Sequence, residues 1–194
     1  MADLASELVA EIKSEWVAGL RRNLQLDGRY LSVMRMPGKI GNKEAEANLF
    51  AATLLMPVGM VRQTTLTMRK WREPDLPKII DLAGRYAVSK EAMARRIMDL
   101  TENACAVVFS HNGIISYPYR SKSFPYVDVA NGASLPKYSV TARQPYSPGN
   151  FTDWTEVRLD VWLKGDLRRR GELFEQCLDL AGGHRITLLS FDEE

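Results

Sequence analysis

The sequence predicts an α+β protein, helical over residues 1–100 and antiparallel β over 101–194. Three observations carry this. Apolar residues recur at helical spacing as far as Leu100, whereas from Thr101 onward the period drops to two. In the second half, Asn112-Gly113 and Gly182-Gly183 each stand between apolar runs, where the turn of a β-hairpin belongs. The chain has 194 residues, 45% of them hydrophobic and 26% charged, which is apolar content enough for one sizeable globular unit or two small ones.

From Asp3 to about Leu24, the residues Leu4, Leu8, Ile12, Trp16 and Leu20 lay one apolar stripe along a helix, with Glu and Lys on its other faces. Residues 25–42 break the pattern. There "LDGRYLSVMRMPG" holds an Asp-Gly turn, a short alternating stretch from Tyr30 to Met34 and a Pro-Gly stop, and it reads as a hairpin or loop. Lys43 to Met56 forms a second helix. Pro57 ends its apolar run, because the residue before a proline is pushed out of the helical region.

Residues 75–100 read as two short helices with a tight joint. The first, "DLPKIIDLAGRYA", ends at Ala87-Val88; Ser89 caps the second, Glu91 suits the positive end of its dipole, and Met93, Ile97 and Leu100 give it a buried stripe. This is the outline of a helix-turn-helix. As a recognition helix it would offer Lys90, Arg95 and Arg96 to phosphates or bases, reinforced by Arg69, Lys70 and Arg72; as a structural pair it would leave those arginines solvated.

The β-rich half begins with "ACAVVFSHNGIISYPYR", a strand, an Asn-Gly turn and a second strand. "EVRLDVWL" places Val157, Leu159, Val161 and Leu163 on one face of a further strand, and "LFEQCLDLAGGHRITLLSF" reads as another hairpin. Between them, residues 121–150 are rich in Pro, Gly, Ser and Tyr and form a long irregular connection. Tyr117, Tyr119, Tyr126, Tyr138 and Tyr146 either cover the sheet or line a groove. The run "KGDLRRRGE", with Arg168 to Arg170, reads as an exposed turn.

Composition narrows the possible functions. A formal net charge of +2 does not announce nucleic acid or an anionic membrane. Cys105 and Cys177 sit in apolar strand-like runs and read as buried free thiols, as in a reducing compartment. The first residues carry acids where a signal peptide carries a basic flank, and no apolar run is long enough to span a bilayer, so the expectation is a cytoplasmic protein with no membrane partner. There is no Gly-rich phosphate loop and no nucleophile elbow. The two histidines, His111 and His184, each border a hairpin turn and read as exposed turn residues.

Glu44 and Asn48 are four residues apart and share a helix face, with Glu46 turned away. Spacing alone makes this a solvated first turn. The wider string "EAEANLFAATLLMP", however, resembles the helix that carries the third zinc ligand in the ImmA/IrrE family of metallopeptidase-like regulators. "LAGRYAVSKEAMARRIMDL" looks like that family's following helix-turn-helix segment, and "ELFEQCLDLAGGHRITLLSF" looks like a closing strand pair of some members. The resemblance implies zincin-like helices in the first half, with Glu44 at a zinc-ligand position and Asn48 supporting it. It also implies an HExxH helix, on which two histidines hold zinc and the glutamate polarises its water. No HExxH occurs in the 194 residues; placing the first helix there puts Ala10 and Ser14 at the histidine positions and Glu11 at that of the general base.

Active relatives relieve repression by inactivating a helix-turn-helix repressor of the phage-immunity or stress-response type. The leading expectation is therefore a degenerate or shortened member that has lost the zinc site, needs no cofactor and regulates by binding a partner protein. Two alternatives are a DNA-binding regulator acting through residues 75–100, and one part of an active zinc endopeptidase whose histidines lie outside this chain.

Overall fold

The computed structural model of the chain describes residues 49–67, 74–163 and 170–193. The helix expected over 3–24 (with Ala10, Glu11 and Ser14), the turn region 25–42, Glu44 and Asn48, the basic residues Arg69, Lys70 and Arg72, and Arg168 lie outside these residues. Two compact units divide between Val58 and Gly59.

In the first unit, residues 49–55 are helical, and the Met56 N–H still bonds to the Ala52 carbonyl at 2.9 Å before Pro57 stops the run. A new helix, α1 (Val58–Thr67), starts directly after that proline, and the second unit begins at its second residue, Gly59. Its sequence, "VGMVRQTTLT", has no apolar stripe, and glycine and threonine are poor helix formers, so nothing in the pattern announces it.

The next two helices follow the capping signals. In α2 (Leu76–Arg85) the Asp75 carboxylate accepts the Lys78 N–H at 2.8 Å, and Pro77 falls in the first turn, where no N–H is needed. In α3 (Lys90–Leu100) the Ser89 hydroxyl accepts the Ala92 N–H at 3.0 Å. The joint is tighter than the sequence suggests. Regular helix ends at Arg85, and the Val88 N–H reaches back to the Ala83 carbonyl at 3.0 Å while Ala87 takes a left-handed φ of 51°. This is a Schellman closure with alanine where glycine is usual.

Five antiparallel strands complete the unit: β1 (Cys105–His111), β2 (Ile114–Arg120), β3 (Thr155–Val157), β4 (Gly171–Asp179) and β5 (His184–Glu193). Their order across the sheet is β2-β1-β5-β4-β3. Asn112 and Gly113, with φ of 50° and 80°, make the hairpin turn that the Asn-Gly pair signals. The pairing slips between Phe109–Tyr117 and Ser110–Ile115, which leaves Ser116 as an extra residue in β2.

One expected strand is corrected. "EVRLDVWL" pairs only over β3 and then curls into a 3-10 turn at Leu159–Val161. The reason lies in packing: consecutive residues Val161, Trp162 and Leu163 are all buried in one cluster, which alternating strand geometry does not allow.

The sheet is the middle layer of this unit. On one face, Ala106 and Val108, Leu189 and Phe191, and Leu173 pack with Phe124, Val127, Leu135, Val157 and Trp162 from the connection. That connection is irregular as expected apart from α4, a single turn at Val140–Arg143, residues 132–135, which bond to the start of β2, and residues 149–152, which pair along the end of β4. Against the other face, α3 packs on β1 and β2, and α2 on β4. The Leu76 N–H, at the start of α2, donates to the buried Gln176 amide oxygen at 3.0 Å, fixing the helix to the sheet. Among the described residues no helix is long and apolar enough to cross a membrane.

Candidate functional site

Helix α3 meets the sheet through charged and aromatic side chains. Tyr117 and Tyr119, alternate residues of β2, donate their hydroxyls to the Glu91 and Asp99 carboxylates of α3. The Arg95 guanidinium lies over both rings, 5.0 Å from the centroid of Tyr119 and 5.9 Å from that of Tyr117. Burial, reinforced by the bond to Glu91, raises the Tyr117 hydroxyl well above the ordinary tyrosine range, with Arg95 opposing the shift. Arg96 is only 2% exposed. A phosphate contact needs a guanidinium at the surface. Arg96 is thus withdrawn from that role, and from simple solvation as well; Arg95 is committed to two tyrosines, and Lys90, at the first turn, is partly exposed.

The densest buried polar group lies under the connection and has no counterpart in the sequence reading. Glu175, fully buried, accepts the Thr141 N–H and hydroxyl at 2.8 Å each and the Trp162 indole N–H at 2.9 Å. The Thr141 and Thr187 hydroxyls are 2.7 Å apart. Next along β4, the Asp179 carboxylate is paired with Arg185 Nε at 2.8 Å and accepts the Ser147 N–H at 2.6 Å. Arg185 also donates to the carbonyls of Thr141 and Gln144 and lies over the Tyr146 ring. Every named group has a partner, and every contact but the Asp179–Arg185 pair ties residues 141–162 to β4 or β5, so the cluster is built to hold the connection down rather than to receive a ligand. Period-two alternation marks Glu175, Cys177 and Asp179 as one face of a strand but does not say what covers them.

Cys105 and Cys177 are buried free thiols, as expected. Burial pushes the Cys177 thiol up to about 12; the Thr141 bond opposes this and the Asp179 charge adds to it. Of the five tyrosines, Tyr117 and Tyr119 cover the sheet, while Tyr126 and Tyr138 stand 71% and 66% exposed.

His111 and His184 are both exposed, as expected for turn residues, but they are not separate. They face each other across β1 and β5 with rings stacked, 4.3 Å between centroids and 17° between planes. Among the described residues no three His, Cys, Asp or Glu side chains converge as metal ligands. This donor set does not make the three-ligand centre that a zinc peptidase requires.

A family model matches the first of the strings that carry the resemblance and nearly all of the second, but not the closing strand pair at 172–191. The Peptidase_M78 model, described as the IrrE N-terminal-like domain, matches residues 39–98. The matched stretch covers Glu44 and Asn48 and ends within α3, so an ImmA/IrrE-like, metallopeptidase-like segment is present in this chain. No curated protein matches it.

Proposed function

We propose that this chain is a regulator of the ImmA/IrrE type that acts by binding a partner protein, a helix-turn-helix repressor of the phage or stress-response kind, and not by cutting it. One observation carries the reading. The IrrE-like match over 39–98 contains the ligand-like Glu44, yet the chain's two histidines sit at the end of β1 and the start of β5, stacked on each other. Proteolysis by a zinc-bound water needs two imidazoles on one helix beside that carboxylate.

Arg96 and Arg95 favour a protein partner over DNA, since on the helix that would enter a groove Arg96 is buried and Arg95 lies over two tyrosines. The test pairs metal analysis with a substrate assay. Protein purified without chelator or added histidines is analysed beside Glu44→Ala, and each is incubated with the repressor encoded nearest to it. A stable complex with full-length repressor, and no zinc that depends on Glu44, is expected. Repressor cleavage, or one zinc per chain lost in Glu44→Ala, overturns the reading.

A further inference from the structure

We propose that His111 and His184 form an open two-imidazole site for a late first-row divalent ion such as Zn²⁺, Ni²⁺ or Cu²⁺. The two residues are direct cross-strand partners in the β1–β5 ladder. Directly opposed Cβ atoms in such a ladder lie about 4.5–5.5 Å apart. Two nitrogens at about 2.0–2.1 Å from one tetrahedral ion stand roughly 3.3 Å from each other. The stacked rings, 4.3 Å apart at their centroids, need only turn about their own side-chain bonds to converge, and both are exposed and have the room.

The Asn112 amide nitrogen is 3.1 Å from His111 Nε2. An amide nitrogen can only donate, so Nε2 accepts this bond, and an ion would displace the exposed amide to take that lone pair. Arg185 is the residue after His184 and so points to the opposite face of the sheet, where Asp179 and two carbonyls hold it. Gly183 lets the Asn112 side chain lie close beside His111: a Cβ there would be 2.0 Å from Asn112 Oδ1. With two protein ligands, the remaining positions fall to water or to a donor from another molecule. Imidazole suits late first-row ions and not Mg²⁺.

The chain contains only two histidines, so every imidazole signal in an NMR spectrum reports on this pair. Zn²⁺ is titrated into untagged protein, with Mg²⁺ as the control, and the ring resonances are followed. Both rings should respond together, saturating near one equivalent, and Mg²⁺ should do nothing. Loss of a direct ligand should weaken binding by at least the 10–100-fold typical of losing an outer hydrogen-bond partner, so His111→Ala and His184→Ala each lose it by about that factor. Asn112→Ala, which frees His111 Nε2, keeps it. Rings that respond at different Zn²⁺ concentrations, or binding that survives either histidine variant, overturns the proposal. Zinc held here is unaffected by Glu44→Ala, which separates it from any zinc that would overturn the functional reading.

Discussion

Glu175 and Cys177 show what single buried groups contribute to this unit. Glu175 is a carboxylate fully out of water that answers three donors with two oxygens. Replacing it with alanine strands those donors, and with about 1 kcal/mol or more lost per orphaned group, Glu175→Ala should cost about 3 kcal/mol in urea unfolding, and Glu175→Gln less. A loss for Glu175→Ala within about 0.5 kcal/mol of zero, the range usual for surface changes, would show that the connection is not held through it. Cys177 makes an alkaline prediction. Its thiol is raised from 9.0 to about 12, so above pH 9 the unfolded chain releases a proton that the folded chain keeps. Stability is then full below pH 9 and falls toward pH 12 at up to about 1.4 kcal/mol per pH unit. Denaturant midpoints across that range should show the fall, and Cys177→Ala should abolish it between pH 9 and 10 and lessen it above pH 10, where the raised Tyr117 hydroxyl contributes in the same sense. Both cysteines are legible as residues of buried strands, but Glu175 meeting Thr141 and Trp162 is not, because that needs the connection laid over β4, nor is His111 meeting His184, because that needs β1 and β5 in register.

At the scale of elements, legibility follows local chemistry. The Ser89 cap, the Asn112-Gly113 turn and the Pro57 stop are each decided within a few residues, and each stands where the pattern puts it. Helix α1 lacks such signals, and the segment at Leu159–Val161 was read as strand because its apolar spacing mimics alternation until the burial of Trp162 forces a curl. The joint between α2 and α3 carries a further expectation. Ala87 holds a left-handed φ of 51°, which costs an L-residue roughly 1–2 kcal/mol that glycine avoids. Part of that gain is lost to the greater freedom of glycine in the unfolded chain, so Ala87→Gly should raise stability by about 0.5–1 kcal/mol. Ser89→Ala, two residues on, should lower it by about 1 kcal/mol. Thermal unfolding of the two variants side by side checks both signs, and a destabilised Ala87→Gly would show the joint to be unstrained.

At the scale of the molecule, the second unit is a sheet whose two edges are both guarded. On one side Pro118 removes an N–H from β2, Ser116 bulges, and Ile115 exchanges bonds with residues 132–133. On the other, β3 spans three residues and the end of β4 is covered by residues 149–152. Edges treated this way resist a further strand. Pro118→Val restores a donor and a strong strand former, and sedimentation at rising concentration should show more self-association than the parent; sedimentation identical to the parent's would mean that the bulge and the covering segment suffice. The α+β class was legible from the change of period near residue 100. The topology was not, since no local pattern says that the first and last strands of the sheet are neighbours.

That adjacency has a consequence for the order in which the protein can be made. β5 lies between β1 and β4 and is the only strand joining the first hairpin to the rest of the sheet. During synthesis β1 and β2 emerge early and can close on each other, but the side of β1 that β5 will take stays unmatched until residues 184–193 appear. Loop closure across some eighty residues is then the slow event. In the interval the nascent chain shows an unfilled strand position at its centre, and a trigger-type holdase is the protection it would most need.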